Sequence, residues 1–564
     1  MNAQEQIAQA VAMAVGMEAE AILPMLETPP DPAMGDYALP CFKLAKTLRK
    51  APPAISDGLA ATLIKPDCVQ RVESVMGYLN FYLVKEDAVR RCLEEVFARG
   101  DRFGWQNEGR GKKVCIDFSS INIAKRFHIG HLSTTVIGHA LSRIYTAMGY
   151  QAVRINHLGD WGTQFGKMLC AYKLWGDRQT VEKGGVEAMT DLYVRFDREA
   201  NKNPELEELG RAWFKRIENG DPEALEIFNW FKEVTLKDAL RVYNMLGIEF
   251  DSYAGESFYA DKTDAVVEEL REKKLLVESE GAEVVPLGED MPPCMILKKD
   301  GATLYTTRDI AAALYRKRTY DFAKCLYIVA YQQDLHFRQF FKVIELMGYP
   351  WHKDLEHVSF GMVSYEGQTL STRKGVVVYL DELLERAVEK AGAIIEEKNP
   401  GLAEKDEVAR QVGIGSVLFA TLFNSRIKDI DFWWDRALSF EGEAAPYVQY
   451  AHARCASLLR KGGYVAAVSV DYSQLQDEEA LALVKAIAVL PETVALACRR
   501  NEPYLVTRAA LAIAKTFNKF YFACRVIDPE NPAATTARLA LTAAAKQAIA
   551  NALYLVGIES PEEM

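Results

Sequence analysis

The sequence predicts an α/β fold with a Rossmann-like parallel sheet in the central domain, a small α/β domain before it and an all-α bundle after it. Three observations support this fold class. An apolar run at 114–118 precedes a polar turn and an amphipathic run from Leu132 to Met148, which is the order strand, turn, helix. A second apolar run, 325–330, also ends in polar residues. Beyond Leu380 the apolar residues follow helical spacing almost throughout.

Composition and charge indicate a soluble chain of several domains. The 564 residues are 49% hydrophobic, a length that suggests roughly three or four domains. The net charge of −11 argues against a uniformly basic surface but permits local basic patches. The ten cysteines are dispersed and form no zinc-ligand spacing, so we expect no metal site and a reducing compartment. No secretory start or membrane-length apolar run is visible, so we expect a cytoplasmic protein without a membrane.

Three domains are predicted from the order of these segments. The first, 1–110, combines a helix over 5–25, further helices and an alternating strand at 78–83. The second, 111–379, contains the parallel sheet and is interrupted by a charged helical insertion at about 176–246. The third, 380–564, is the helical bundle, with one of its helices predicted over 478–498.

The polar turn after the first central strand is a candidate phosphate site. Ligands of doubly wound sheets bind outside the carboxyl ends of strands, where the free N–H groups of a following helix favour phosphate. His128 and His131 can donate to a phosphate, and Gly130 lets a flat group approach the backbone. Taken alone, two histidines three apart are as often ordinary polar residues at a helix start.

Residues 119–131 read S-S-I-N-I-A-K-R-F-H-I-G-H. This stretch resembles the signature of class I aminoacyl-tRNA synthetases, in particular that of arginyl-tRNA synthetases, S-S-P-N-x-A-K-P-x-H-x-G-H. Ile121 and Arg126 depart from the pattern, and neither change removes a candidate ligand. The stretch N-H-L-G-D-W-G-T-Q-F-G at 156–166 also matches the family. The resemblance implies ATP binding by Lys125, His128, Gly130 and His131, with the two histidines acting in catalysis.

Tyr305 and Asp309 are candidates for amino-acid recognition. They lie four apart at the start of a predicted helix and therefore share a face. A guanidinium is a planar fork of donors that a carboxylate and an aromatic ring can hold; helix capping and packing are the alternative. In the arginyl-tRNA synthetases the matching residues line the arginine pocket. The same resemblance implies that an amide of Q-Q-D-L-H orients the substrate ammonium group, for which we choose Gln333 over Gln332, and that Asp117 and Asn122 also contact arginine.

A basic loop, L-S-T-R-K-G at 370–375, is a candidate for transition-state stabilisation. Departing pyrophosphate accumulates charge, which mobile cations would stabilise more in the transition state than in the ground state. The loop resembles the KMSK loop of class I synthetases in its degenerate arginyl form. The resemblance implies that Ser371 binds ATP and that Arg373 and Lys374 act in catalysis, and it leaves open which cation contacts pyrophosphate. An ordinary surface loop is the alternative.

Further segments resemble parts of the family that bind tRNA. G-D-Y-A at 35–38 resembles the N-terminal domain that contacts the tRNA elbow, which makes Tyr37 a candidate. The stretch 445–454 resembles the opening of the anticodon-binding domain, which makes Tyr447 and Arg454 candidates. The insertion is either a solvated helical face or a contact to the acceptor stem.

The resemblance implies an arginine–tRNA ligase that activates L-arginine with ATP and transfers it to the 3′ end of tRNA(Arg). Positioning and charge stabilisation suffice for such chemistry, so no side-chain nucleophile is required. We expect Mg²⁺ to accompany ATP, bound tRNA to be needed for activation, and the protein to be a monomer. Two alternatives remain at this point: a class I synthetase for another amino acid and a non-catalytic tRNA-binding relative.

Overall fold

The computed structural model describes residues 3–29, 31, 34–299, 301–369, 377–466 and 469–564. The chain folds into two compact units. The first unit contains Met1–Gly100, Ser457–Ala488 and Lys515–Gln547. The second unit contains Asp101–Ala456, Val489–Ala514 and Ala548–Met564.

The N-terminal residues of the first unit form a three-stranded antiparallel sheet with helices. The elements are α1 (Ala3–Val15), α2 (Ala19–Ile22), β1 (Tyr37–Pro40), α3 (Phe42–Leu48), α4 (Pro52–Thr62), β2 (Val69–Val75), β3 (Tyr78–Leu83) and α5 (Lys85–Arg99). β3 is the middle strand, with β1 and β2 on either side. The helix predicted over 5–25 is divided, because Gly16 adopts a left-handed φ of 68° that ends α1.

The central part of the chain contains a four-stranded parallel sheet with helices. The strands of this central part, four of which form the parallel sheet, are β4 (Lys113–Asp117), β5 (Gln151–Ile155), β6 (Val277–Ser279), β7 (Ala282–Val285), β8 (Cys294–Leu297), β9 (Lys324–Tyr327), β10 (Leu355–His357), β11 (Val363–Tyr365) and β12 (Gln368–Thr369). Its helices are α6 (Leu132–Ala147), α7 (Thr163–Trp175), α8 (Arg178–Ala200), α9 (Glu205–Glu218), α10 (Pro222–Leu246), α11 (Glu256–Tyr259), α12 (Thr263–Glu272), α13 (Tyr305–Tyr320) and α14 (Asp334–Leu346).

The parallel sheet has the strand order β10-β9-β4-β5. From β4 the chain passes through α6 to β5 on one side and later returns as β9 on the other, so the strand order reverses at β4. Asp117, the last residue of β4, is aligned with Ile155 of β5 and Tyr327 of β9. The polar residues that follow these strands therefore lie at one edge, where doubly wound sheets bind ligands. The predicted strand, turn and helix are confirmed.

The insertion predicted at about 176–246 is helical, as α8, α9 and α10. The antiparallel sheet in the order β6-β7-β8 is not predicted by the sequence analysis. Each of its strands has only three or four residues, and β6 is exposed along its whole length. Such strands give no period-two pattern long enough to recognise.

The C-terminal region is almost wholly helical. Its elements are α15 (Leu380–Lys398), α16 (Lys405–Leu422), β13 (Ile430–Phe432), α17 (Trp434–Ala437), α18 (Ala445–Lys461), α19 (Glu478–Ala488), α20 (Leu490–Arg500), α21 (Tyr504–Ala523) and α22 (Pro532–Leu555). The helix predicted over 478–498 is two helices, α19 and α20, with Pro491 in the first turn of α20.

Helix α19 belongs to the same compact unit as the N-terminal residues. Cys92 in α5 donates from Sγ to the carbonyl oxygen of Val484 in α19 at 3.6 Å, and Lys485 Nζ lies 2.6 Å from Asp36 Oδ1. The C-terminal helices are thus divided between the two units. The boundaries at 110/111 and 379/380 stay predictions.

By length and composition, one described helical stretch could cross a membrane, namely Glu478–Arg500 with a mean hydropathy of 1.9. It comprises α19 and α20, carries Lys485 and Glu492, and has 44% of its apolar window buried. A second candidate would be the pair Ala3–Val15 and Ala19–Met25, which is bent by 112°. Core helices of soluble proteins satisfy the same criteria, so neither stretch indicates a membrane protein.

The close packing of α6 against Phe118, the residue that follows β4, leads to a prediction about stability. A Cβ atom at Gly138 in α6 would lie 2.2 Å from the Phe118 ring, so Gly138→Ala should overpack this site. We expect a loss of about 1–3 kcal/mol in the free energy of unfolding, seen as a lower midpoint in thermal unfolding. Gly392→Ala in α15 is the control, because its Cβ would meet Ala409 at an ordinary 3.6 Å. Equal midpoints for the two variants would contradict this packing.

Candidate active site

The turn that follows β4 is held in a strained conformation. Ser119, Ser120 and Ala124 have φ values of 70°, 44° and 62°, in the left-handed region that non-glycine residues rarely adopt. Each such residue costs on the order of 1–3 kcal/mol and persists only where surrounding contacts enforce it. The turn 119–131 therefore depends on its neighbours for its shape.

Helix α10 of the insertion supplies several of those contacts. Tyr243 Oη lies 2.7 Å from Ser119 Oγ, and Thr235 Oγ1 accepts a hydrogen bond from the backbone N–H of Ala124 at 3.0 Å. Both α10 side chains are buried. The solvated face considered from the sequence is thus only one side of the insertion, because the other side is bound to the turn.

The two histidines of the turn accept backbone hydrogen bonds through Nδ1. His128 Nδ1 accepts from Gly130 N at 3.1 Å, and His131 Nδ1 accepts from His128 N at 3.3 Å. With Nδ1 as acceptor, the proton of the neutral His128 ring is on Nε2. His131 Nδ1 lies equally close, 3.3 Å, to the carbonyl oxygen of His128, so either of its ring nitrogens can carry the proton, and each histidine keeps one N–H donor. Gly130 is required locally, since a Cβ there would lie 2.7 Å from the His128 ring.

Both histidine rings are held in the neutral form. Burial, with a contribution from His128, lowers the pKa of His131 to about 3. Burial and the nearby Lys125 ammonium also lower the pKa of His128. At neutral pH the pair is therefore a set of uncharged N–H donors next to an exposed lysine, an arrangement suited to phosphate oxygens.

Asp309 lies in a polar cluster between α13 and α14. Its Oδ2 is 2.8 Å from His336 Nε2, its Oδ1 is 3.9 Å from His157 Nε2, and the Tyr305 and His336 ring centroids are 4.8 Å apart. Burial alone raises the pKa of Asp309, but the hydrogen bond from His336 and the neighbouring positive groups lower it overall. The side chain is thus an ionised acceptor beside an aromatic ring. Asp309 is the fifth residue of α13, beyond the first four residues whose free N–H groups a capping side chain binds, and its hydrogen-bond partner is His336.

Asp117 has an internal partner. Its Oδ2 lies 2.7 Å from Nη2 of the fully buried Arg316 in α13, and its Oδ1 accepts a hydrogen bond from Ser120 Oγ at 2.9 Å. Arg316 Nη2 also lies 3.3 Å from His157 Nδ1. A guanidinium of the chain itself is therefore bound at the end of β4, next to the Asp309 cluster.

Asn122 and Gln333 follow the two neighbouring strands β4 and β9. Asn122 forms an isolated parallel bridge with Gly159, where a Cβ would lie 2.2 Å from Asn122 Oδ1. Gln333 is exposed and ends the short 3₁₀ helix Tyr331–Gln333. The structure thus places candidate arginine ligands on both sides of the crevice at β4.

Family models match the chain in three consecutive regions. The descriptions of the models are "Arginyl tRNA synthetase N terminal domain" for residues 1–83, "tRNA synthetases class I (R), catalytic domain" for 93–434 and "DALR anticodon binding domain" for 448–564. The chain belongs to the class I arginyl-tRNA synthetases. The family, the fold class and the enzyme class predicted from the sequence are thereby confirmed.

Relatives of known name cover the whole chain. An arginine–tRNA ligase of Alkaliphilus metalliredigens is 50% identical over 97% of both chains, and one of Clostridium acetobutylicum is 48% identical over 100% of both. The structure of Thermus thermophilus arginyl-tRNA synthetase superimposes with a TM-score of 0.84 at 27% identity, covering 100% of each chain. A structure of the Plasmodium falciparum enzyme shares the fold, with a TM-score of 0.80 at 21% identity.

Three residues of this synthetase site were not singled out by the sequence analysis: His157, His336 and Glu256. The two histidines stand within the quoted family stretches, but their contacts with Asp309 depend on the fold. Glu256 at the start of α11 lies 2.9 Å from Arg308 Nη2. Burial raises the pKa of Glu256, while Arg308 and His157 oppose that shift. It is a second carboxylate close to Asp309.

Other candidate residues lie apart from the cluster or outside the described residues. Ser371, Arg373 and Lys374 fall in 370–376, outside the described residues. In α18, the Arg454 guanidinium carbon lies 4.8 Å from the ring centroid of Tyr450, and Tyr447 is half-buried. Tyr37 is in β1 of the first unit, and burial raises its pKa.

Metal ligands are not clustered in the described part of this synthetase. No group of three or more His, Cys, Asp or Glu side chains there could hold a metal ion. The ten cysteines are all buried as free thiols.

The neutral state of His131 generates a prediction about pH. In the unfolded chain His131 binds a proton near pH 6.5, whereas in the folded protein the ring does so only near pH 3. The neutral ring therefore stabilises the fold above pH 6.5, and this stabilisation is lost as pH falls towards 3. We expect the ¹³C ring resonance of His131 to stay constant between pH 8 and pH 5. The chain has eight histidines, so the resonance missing from His131→Asn identifies it. A midpoint near pH 6.5 would contradict the burial argument.

Proposed function

We propose that this chain activates L-arginine with ATP to arginyl-adenylate and transfers the arginine to the 3′ end of tRNA(Arg). One observation carries the proposal beyond family membership. An ionised carboxylate, Asp309, lies beside the ring cluster of Tyr305 and His336, and the neutral histidine pair lies at the same edge of the parallel sheet. A cation-selecting pocket and a phosphate-binding turn are the two parts that arginine activation requires.

The phosphate half would work by positioning and charge stabilisation. His128 and His131 donate ring N–H groups to ATP oxygens, with Lys125, the Gly130 backbone and Ser371 as further ligands. Arg373 or Lys374 would neutralise the departing pyrophosphate. The arginine carboxylate attacks the α-phosphate in line, so no side chain forms a covalent intermediate. Mg²⁺ would enter as part of the ATP substrate, bound by its phosphates.

The amino-acid half would recognise both ends of arginine. Asp309 accepts from the guanidinium fork while Tyr305 covers its plane, and Gln333 and Asn122 orient the ammonium group. Asp117 adds negative charge at the pocket, although Arg316 already binds it. This pairing makes Asp309 the stronger candidate for direct recognition.

The remaining contacts extend the proposal to tRNA and to the state of the protein. Tyr37 would contact the tRNA elbow, and Tyr447 and Arg454 the anticodon region, by stacking and phosphate contacts. We propose a cytoplasmic monomer without a membrane. Size-exclusion chromatography with light scattering measures the monomer directly.

Amino-acid-dependent release of AMP in the presence of tRNA tests the reaction itself. We expect release with arginine, ATP and tRNA(Arg), and none with other amino acids. Without tRNA we expect no ATP–pyrophosphate exchange, because arginyl enzymes generally need bound tRNA to complete the site. Release with another amino acid would favour a different class I specificity, and no release with any would favour a non-catalytic relative. Exchange without tRNA would overturn only the expected tRNA dependence.

Asp309→Asn should impair arginine use far more than ATP binding. The amide keeps the shape but turns a donor towards the donors of guanidinium, which leaves a desolvated cation unpaired. Such a loss costs on the order of 2–5 kcal/mol, or roughly 30- to several-thousand-fold in kcat/KM for arginine. Lysine should not be accepted instead, because its ammonium cannot form the fork.

Asp321→Asn is the matched control for this variant. Asp321 ends the same helix, is largely exposed and has a left-handed φ of 46°, which asparagine tolerates. Its kinetics should equal those of the wild type. Unchanged arginine kcat and KM in Asp309→Asn would remove this residue from the pocket.

A further inference from the structure

The histidine turn is paired with the segment that precedes α15. Ile129 N donates to Val378 O at 2.9 Å, and Leu380 N donates to Phe127 O at 3.0 Å. His128 and Tyr379 form the antiparallel bridge between these two bonds. The backbone that carries His128 is thus one edge of a short ladder whose other edge is residues 378–380, and His131 follows two residues after the ladder.

Arg126, directly before this ladder, contacts the opposite strand of the ladder and the residues that follow it. Its Nη2 lies 3.0 Å from Asp381 Oδ2 and 2.8 Å from Glu382 Oε1, and its guanidinium carbon lies 3.9 Å from the ring centroid of Tyr379. The synthetase pattern has proline at position 126, and proline can form none of these contacts. In place of a rigid proline ring, the Arg126 side chain makes a set of contacts across the ladder with Asp381, Glu382 and Tyr379, which we call the clamp.

Asp381 joins this clamp to the insertion. Its side chain is 4% exposed, and its Oδ2 contacts both Arg126 and Arg241 of α10. Its Oδ1 is buried without a hydrogen-bond partner among the described residues. A buried carboxylate needs paired cations to offset its desolvation, so Asp381 holds both guanidinium groups near one point.

We propose that Arg126 is a positioning residue for aminoacylation. Through Asp381, Glu382 and Tyr379 it fixes the ladder at 127–129, and thereby the direction of the ring N–H donors of His128, within the ladder, and of His131, which follows it. The proposal rests on the proposed function, because those donors must face ATP for their direction to matter. The strained turn cannot hold this direction alone, and a displacement of about 1 Å at a reacting centre can lower a rate roughly 100-fold.

Arg126→Gln, which keeps much of the length but removes the charge, tests the proposal. We expect kcat for aminoacylation to fall roughly 10- to 100-fold, while KM for arginine changes by less than about twofold. Arg126→Lys should fall between wild type and Arg126→Gln, since it keeps the charge but not the fork. In a His131→Ala background Arg126→Gln should have a much smaller effect, because its role acts through the histidine turn.

Arg410→Gln is the matched control. Arg410 also meets two carboxylates, Glu407 at 2.6 Å and Glu559 at 2.8 Å, but in α16 and away from the turn. Arg410→Gln should lower the midpoint of thermal unfolding no more than Arg126→Gln does, and it should leave kcat unchanged. A kcat for folded Arg126→Gln within about twofold of wild type would overturn the proposal, as would a full effect in the His131→Ala background.

Hydrogen–deuterium exchange separates this proposal from the proposed function. In Arg126→Gln and in Asp381→Asn, the backbone amides of Ile129 and Leu380 should exchange faster than in wild type, while those of α16 stay unchanged. An inactive wild type with this exchange pattern would overturn the proposed reaction but retain the clamp. Unchanged exchange at both amides would overturn the clamp, whatever the enzyme's activity.

Discussion

The parallel pairing of β4 with both β5 and β9 is the constraint on which the site depends. Because β4 is central, its side chains Val114, Cys115 and Ile116 are fully buried, and the chain emerges only after Asp117. The turn that follows must therefore begin at the edge of the sheet and connect a fixed strand to α6. That placement puts the strained residues and the two histidines directly after β4, and it puts Asp117, the partner of Arg316, at the end of the strand.

The turn histidines and Asp309 differ in charge because their environments favour the neutral form of the histidines and the ionised form of the aspartate. Burial drives the turn histidines towards the neutral form, while the pKa of Asp309 is lowered in spite of burial because Asp309 is hydrogen-bonded to His336 and lies near His157 and Arg316. Uncharged donors suit phosphates that arrive with their own cation, and an ionised acceptor suits a guanidinium that arrives without one. The turn and the Asp309 cluster thus differ in polarity.

The sequence predicts features of this site that depend on neighbours along the chain. The strand, turn and helix at 114–148 have strong local periodicity, and the histidine and glycine positions lie within one turn. The ion pairs are different, because residues 255 positions apart, such as Arg126 and Asp381, meet only through the fold. Strands β6 to β8 are too short for periodicity, and two helices at 478–500 merge into one pattern because Pro491 is tolerated in a first helical turn.

The insertion cannot be treated as an appendage, because α10 contacts the turn directly through two side chains and indirectly through a third. Thr235 and Tyr243 bind the strained segment directly, and Arg241 binds the carboxylate that Arg126 also uses. The first two contacts are buried and neutral, so they set shape, whereas the third is half-exposed and ionic, so salt and neighbouring charge affect it. The inner face of α10 thus keeps the turn in place, and Arg241 adds an ionic contact to the carboxylate that Arg126 also binds.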